Sequence, residues 1–436
     1  MSEEATTLGD PPAAPIAPLR PIEIVPISHQ GQDLLLLRDP SGVAGEPLIV
    51  SPASLELLRY CDGRHTVRDI QLAAARASGR ILPSDQVCAF FAKLEEKHFL
   101  ASPAFDQHRE TLAREYAAWS ARPAQFAGTA YSADQAILLR ELDALYAGTA
   151  AGLPTHPLVD WPGGLAVPHI DPSRGAAVYA AGYARLWGAR PNGIVILGVS
   201  HAGGEQPFIL TSKDFATPLG IAPTDRTLIE ALAGALSFDP LAEQDLHRWE
   251  HSIEFQVVFL QHALSAGARP PSALPPCLPV LCTFSWEDLL APPPSRRAQI
   301  EEFLTMLRAQ LAARGGRWLI VAGVDLAHVG KRFGDREPLT SAFLENVARA
   351  DRASLDHLAA GDGDGFVRDL AEQRNARRVC GLPALYALNA LLPGTRGEVL
   401  GYEQSVDERL DSAVGFGALA LWNRSDRVGP AGSDGA

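Results

Sequence analysis

From about Arg122 to Asn423 the chain alternates short apolar runs with stretches whose apolar residues recur at helical spacing. GGLAVP, NGIVILG, LPVLCTF, RWLIVAG and the terminal VGFGALALW read as strands, whereas AILLRELDALY, SIEFQVVFLQHAL, RAQIEEFLTMLRAQLAA and LPALYALNALL carry helical stripes. That alternation is the mark of an α/β sheet. It constrains the fold more than any other feature, and no internal repeat of fixed period competes with it.

An open α/β sheet binds its ligands in the crevice beyond the carboxyl ends of its strands. Three histidines leave strands at that end. His169 follows the run in GGLAVPHIDP, His201 comes three residues after Gly198 in NGIVILGVSHAGG, and RWLIVAGVDLAHVG delivers Asp325 and His328. One such histidine is more often a loop residue with its hydrogen bonds satisfied. Three with an aspartate point to a metal or an acid/base site, since neutral imidazole is the commonest metal ligand. Cys380, in RVCGLPALYALNALL, stands just ahead of an apolar helix opened by Pro383. A helix dipole there favours the thiolate that a metal requires, although a small buried hydrophobe is the usual fate of a free cysteine. In RWEHSIEFQVVFLQHAL, His251 and Glu254 are three apart and share a helix face, with Glu250 beside them at the start. That spacing serves a metal, a histidine oriented by a carboxylate, or a plain capping box; all three readings stand. His29, His65, His98, His108, His156, His247, His262 and His357 lie in polar or mixed stretches and read as solvated or capping imidazoles.

The rest of the chain sets the context. Cys61, Cys88, Cys277, Cys282 and Cys380 are an odd number spread through 436 residues, which suits a reducing cytoplasm better than a disulfide framework. Residues 1–19 and 424–436 are small, polar and Pro/Gly-rich, and read as tails too poor in apolar surface to repay ordering. The start lacks the basic and apolar regions of a signal peptide, and no run approaches the roughly 20 apolar residues of a membrane span. Asp+Glu exceed Lys+Arg by 13, which argues against nucleic acid and anionic membranes as partners.

Residues 20–105 read as a separate small α+β unit of winged-helix type. IEIVPI, DLLLLRD and PLIV are hairpin-like strands. They are followed by SLELLRYC behind Ser51-Pro52, by IQLAAARA behind the capping-box pair Thr66 and Asp69, and by DQVCAFFAKLEEK. Nine Lys/Arg stand against ten Asp/Glu here, so no basic recognition face is evident. ELLRYCDGRHTVRDI, followed by the helix ending KLEEKHFL, resembles the PqqD-like family, a resemblance that implies capture of a peptide along a sheet edge by residues 20–105. A helix over residues 106–121 is expected to link this unit to an α/β domain at 122–423.

Within that domain RPAQFAGTAY, VPHIDPSRG, ILGVSH, ATPLG, EHSIEFQ, LPVL, GVDLAHVGKRF, VCGLPALYALNAL and YEQSVDERLDSAVGFGALAL follow one another in an order that resembles the Memo-like family. The resemblance implies an α/β core related to class III extradiol dioxygenases, which hold non-haem Fe(II). It implies His169, His201 and Cys380 as metal ligands, with Asp325 and His328 lining the site. The chain departs from the family where His169 is followed by IDPSRG, which puts Asp171 and Arg174 at the mouth of the site. Ala202 replaces the second histidine of the family's SHH, and Phe126 replaces the histidine of its early SHAG.

Two imidazoles and a thiolate leave positions open for a small molecule, and the soft sulfur admits iron, copper or zinc. With iron first, the expected chemistry is redox or dioxygenase-like, with His328 as acid/base, Asp325 orienting it or a bound water, and His251, Glu254 and Asp171 in support. The resemblances imply that it acts with a peptide-modifying or radical-SAM partner; the alternative is a non-catalytic metal-handling or peptide- or partner-binding role. Zinc-dependent hydrolysis is a third, with Asp325 or Glu254 as base, although no HExxH motif is present.

Overall fold

The computed structural model describes residues 14–79, 82–147, 156–266, 268, 273–290 and 294–422. The chain divides into two compact units between Ala118 and Trp119. The expected tails at 1–13 and 424–436 lie outside the described residues. Residues 14–19, read from sequence as part of the N-terminal tail, are ordered. The Ile16 amide donates to the His65 carbonyl (2.9 Å) and the Leu19 amide to that of Cys61 (2.8 Å), and Ile16, Ala17 and Leu19 pack on the first unit's core. Backbone pairing, together with the packing of Ile16, Ala17 and Leu19, holds this Pro/Ala-rich segment.

In the first unit the strands Glu23–His29, Gln32–Arg38 and Leu48–Val50 form an antiparallel sheet in that order. A single turn at Leu55–Leu58 and helices Val67–Ser78, Ser84–Glu96 and Pro103–Ala118 follow. Thr66 and Asp69 form the capping box reciprocally, and Gly79 closes that helix with φ +68°, a left-handed geometry that suits glycine. The Pro103–Ala118 helix, expected to begin near residue 106 as a linker, clusters with this unit.

The second unit is built on an eight-stranded mixed sheet. From one edge its order is His328–Gly330, Ser412–Trp422, Gly164–Val167, Trp318–Gly323, Gly193–Val199, Cys277–Cys282 and Phe208–Leu210, with Arg396–Asp407 also paired to Ser412–Trp422. The four central strands, Gly164–Val167, Trp318–Gly323, Gly193–Val199 and Cys277–Cys282, run parallel. They are near-uniformly apolar because both faces are covered. Along them successive side chains enter two different cores: Leu165, Val167, Ile194 and Ile196 face one, and Ala166, Val195, Leu197 and Ile320 the other. Each fully buried aliphatic contributes roughly 1.5–3 kcal/mol. Parallel pairing brings Val167, Val199, Cys282 and Gly323 to the same edge, and there the site forms.

The helix His251–Leu264 is buried from Ser252 to Leu264 and sets its first turn against that edge. Gly198 and Gly323 allow this approach. A Cβ on Gly198 would strike Ser252 and Ile253, and one on Gly323 would strike the Ser252 carbonyl and Gln256. Two histidines expected to be solvated are buried here: His247 bonds the Ile209 carbonyl (3.0 Å) and His262 bonds Asp143 (2.8 Å). Their stretches in sequence are polar or mixed, and packing against distant chain decides their burial.

Candidate metal centre

Each residue of the centre enters from the end of a different element. His169 and His201 lie two residues past Val167 and Val199, and Cys380 comes just before the helix Leu382–Leu391. His251 opens its helix, with Glu250 as N-cap accepting from the Ser252 amide (2.9 Å). The ligand atoms of His169, His201 and Cys380 all lie within 4.8 Å of one another, and His201, Glu250 and His251 form a second such group.

Hydrogen bonding commits one nitrogen of each of the His169 and His201 rings. Nδ1 of buried His169 lies 3.0 Å from the Gly323 carbonyl. A carbonyl only accepts, so Nδ1 carries the proton and Nε2, 3.4 Å from Cys380 Sγ, keeps its lone pair. Nδ1 of His201 lies 3.0 Å from both oxygens of Glu250, which also accepts the His201 amide (3.0 Å). That is the carboxylate–histidine arrangement that fixes the orientation of metal-binding imidazoles.

The field of the pocket favours a cation. Burial pushes His169 down to about 3, with His201 adding repulsion, so its imidazole is neutral. Burial disfavours charge on His201 as well, yet the Glu250 carboxylate overrides it and lifts His201 well above its ordinary range. Glu250 in turn is held well below its ordinary range, because His201 outweighs the cost of burial. The positive charge of the pocket therefore sits as a proton on His201, beside the Glu250 carboxylate. For Cys380 the sequence predicted a lowered pKa; burial raises it instead, partly offset by a hydrogen bond with His201. Desolvation of the thiolate exceeds the pull of one helix end.

The other expected residues take different places. Asp325 is buried, and its Oδ1 accepts the amides of His169 (3.0 Å) and Ile170 (3.2 Å), clasping the loop that carries the first histidine. Burial raises it to about 6. It does not orient His328 by a hydrogen bond: Nδ1 of His328 bonds the Leu326 carbonyl (3.1 Å), and its ring packs edge-on against Phe333. The two groups still couple through their charges, and burial lowers His328. His251 stacks on His201 with centroids 4.7 Å apart and meets His169 edge-on at 5.2 Å.

Glu254, expected to support His251, is committed elsewhere. It pairs with fully buried Arg122, accepts from Tyr131 and takes the amides of Gln125 and Phe126 (3.0 Å each). It makes no hydrogen bond to His251; its charge acts on that imidazole, and the ring of Phe126 packs edge-on against it. Asp171 forms a turn with Ser173 (2.9 Å to its amide), and Arg174 reaches Ser405 (2.8 Å). Sequence reasoning missed Glu250 as the carboxylate partner. Its signal was an acidic residue at the N-cap immediately before a histidine.

A crevice of about 190 Å³ opens beside Cys380, between the ends of strands Gly193–Val199 and Cys277–Cys282 and the start of helix Leu382–Leu391. Ser200, Thr283, Phe284, Ser285, Trp286 and Asn375 form much of its wall. Among the described residues, no helix is long and apolar enough to cross a membrane.

Residues 122–420 match the sequence model of the family described as Memo-like protein. A MEMO1 family protein of Aquifex aeolicus is 24% identical over 398 residues, covering 89% of this chain and 96% of its own. One from Thermus thermophilus is 29% identical over 365 residues, covering 83% and 100%. Both alignments are longer than the second unit, so they run into the first. A MEMO1 family protein of Methanosarcina barkeri matches 59% of this chain at 28% identity.

Proposed function

The chain belongs to the Memo-like family, and from that premise we propose that it holds a non-haem metal ion on His169 Nε2, His201 Nε2 and Cys380 Sγ and uses it in redox, dioxygenase-like chemistry. One observation carries this reading: three soft or borderline donors converge within 4.8 Å while the second nitrogen of each imidazole is tied to a protein oxygen. Two imidazoles and a thiolate suit iron first and admit copper or zinc. The metal would supply a redox-active Lewis acid at the crevice. The protein's own residues divide the remaining work. Glu250 aims His201, Asp325 holds the His169 loop, and His328, neutral at physiological pH and coupled to Asp325, accepts or returns a proton at the substrate.

Anaerobic purification with metal analysis tests the ligand set. His169→Ala and Cys380→Ser are expected to lose most of the bound ion, and full retention in both overturns the assignment. Oxygen consumption with a reductant tests the redox reading.

A second reading, binding without turnover, draws on the first unit. The alignments with the two bacterial relatives extend into it. Its sheet has open outer strands at Glu23–His29 and Leu48–Val50, where an extended peptide of a modifying or radical-SAM partner system would add. Titrating peptides encoded beside its gene onto the full-length protein tests this; absence of binding leaves the unit a structural cap.

A further inference from the structure

The loop that carries Asp325 and His328 lies alongside the segment that carries Cys380, and the two are bonded at both ends of their overlap. The His328 amide donates to the Arg377 carbonyl (2.7 Å), and Arg378 donates to the His328 carbonyl (3.1 Å). At the other end the Gly381 amide and the Cys380 thiol both donate to the Asp325 carbonyl (3.1 and 3.6 Å). The group proposed to move the proton and the proposed thiolate ligand therefore share one mount. Residues 324–327 and 377–381 lie between regular elements, so something other than a strand ladder must set their spacing.

A side chain from a third element does so. Asp351, on the helix Ser341–Ala359, is fully buried. One of its oxygens pairs with the Arg377 guanidinium, and the other accepts the Ala327 amide (3.3 Å) and the Tyr402 hydroxyl (3.0 Å). The carboxylate thus bridges the two segments, at the residue before His328 and at the residue three before Cys380. Arg377, itself buried, also reaches Ser354 (3.3 Å) and Asp369 (3.6 Å), which orient its guanidinium. The strand Ser412–Trp422 makes room for this arrangement. A Cβ on Gly415 would strike the Asp351 carboxylate and the Tyr402 hydroxyl, while the Gly415 backbone bonds Leu326 and Ala327 (2.7 and 2.8 Å).

A charge buried this completely is costly, and apolar packing of similar volume often serves stability as well or better. What the ion pair adds is register, because three directional donors on one carboxylate admit one spacing of the segments that supply them. Spacing decides function at such a place. A proton-transfer group must lie within hydrogen-bond reach of the atom it serves, and a misplacement of about 1 Å lowers a rate on the order of 100-fold.

We propose that Asp351 is a positioning residue of the metal centre: acting through Arg377 and Ala327, it sets where Cys380 Sγ and the His328 ring stand relative to one another. This rests on the metal reading above.

The test uses full-length protein with Co(II) as the probe ion. A thiolate bound to Co(II) gives a charge-transfer band that reports the bond to Cys380, and the paramagnetic relaxation of the His328 ring protons, assigned with His328→Gln, gives the distance of that ring from the ion. Asp351→Asn keeps the volume and an oxygen for Ala327 and removes the charge that holds Arg377. Its Co(II) affinity is expected to fall about tenfold, with the band displaced or weakened and the relaxation of His328 changed. Leu228→Ala controls for lost stability. Leu228 is buried in the helix Arg226–Ala233, whose N-cap Asp225 bonds Cys277 at the end of its strand away from the site (2.8 Å), and this variant should keep the wild-type spectrum. Tyr402→Phe, which removes one donor to Asp351, should shift the same signals less and decides the matter if Asp351→Asn does not fold. Wild-type signals in the folded Asp351 and Tyr402 variants overturn the proposal, and so does an equal shift in Leu228→Ala, which would make the pair merely structural. Wild-type protein that binds no Co(II) at Cys380 sinks the metal reading itself, and this role with it.

Discussion

Two buried carboxylates on one helix start, four residues apart, have opposite fates. Glu254 is closed: Arg122, Tyr131 and two backbone amides fill its oxygens, and Arg122 spends its remaining donors on the carbonyls of Pro123, His247 and Glu250. Glu250 also satisfies its oxygens, but the group it orients, His201, has a ligand atom within 4.8 Å of those of His169 and Cys380. Saturation is what a structural ion pair requires. Leftover lone pairs, gathered at a strand edge and beside a crevice, are what a ligand requires. The two clusters therefore should fail differently when broken.

The largest effect is expected at the closed cluster. Arg122→Ala leaves Glu254 charged, buried and short of its main partner, and should cost about 3–5 kcal/mol in urea unfolding with little effect on metal content per folded molecule. A loss below about 1 kcal/mol would mean that the cluster is not the clasp its hydrogen bonds describe.

Next comes the carboxylate that sits between the two types. Asp325 is structural in its bonds but held at about 6 against an ordinary 3.8. An acid whose folded-state pKa is raised favours folding while protonated, so its contribution is complete below about pH 4 and is lost as pH rises through about 6. Asp325→Asn keeps an oxygen for the His169 and Ile170 amides and removes the titration. In metal-free protein, wild type should lose roughly 2–3 kcal/mol relative to this variant between pH 4 and 7.5. A difference that stays flat across that range would sink the assignment.

The contrast between the two glutamates also marks what was legible in the sequence. Apolar runs and stripes identify the α/β sheet because burial on both faces writes itself into composition, and the ordered fragments identify the family. His169, His201 and Cys380 were legible because strand ends and a helix start place them regardless of detail. Glu254 was chosen over Glu250 because a spacing of three names a shared face without naming what packs there, and Arg122 is 132 positions away in sequence. The Cys380 thiol was misjudged for the same reason: a helix end is local and readable, whereas desolvation comes from distant chain. Ile16 and Leu19 hold a segment that composition alone marks as a tail.

A smaller effect is expected for Glu250→Gln, which keeps a carbonyl oxygen for the His201 ring and removes the charge that holds it. Loss of such a partner lowers metal affinity by about 10–100-fold. Competition with a metal chelator reads this directly, and unchanged affinity would detach Glu250 from the centre.

The smallest effect on stability is the most telling one. Cys380→Ser exchanges sulfur for oxygen beside an open crevice, where the side chain completes no saturated network, so unfolding of metal-free protein should shift by no more than about 1 kcal/mol. The same variant should lose most of its bound metal, because a hydroxyl is not deprotonated as a thiol is and is a poorer partner for a soft or borderline ion. Only a residue whose bonding capacity is reserved for a ligand separates the two quantities in this way. If Cys380→Ser proved as destabilising as Arg122→Ala, both clusters would be structural, and the distinction between closed and open polar groups would not hold in this protein.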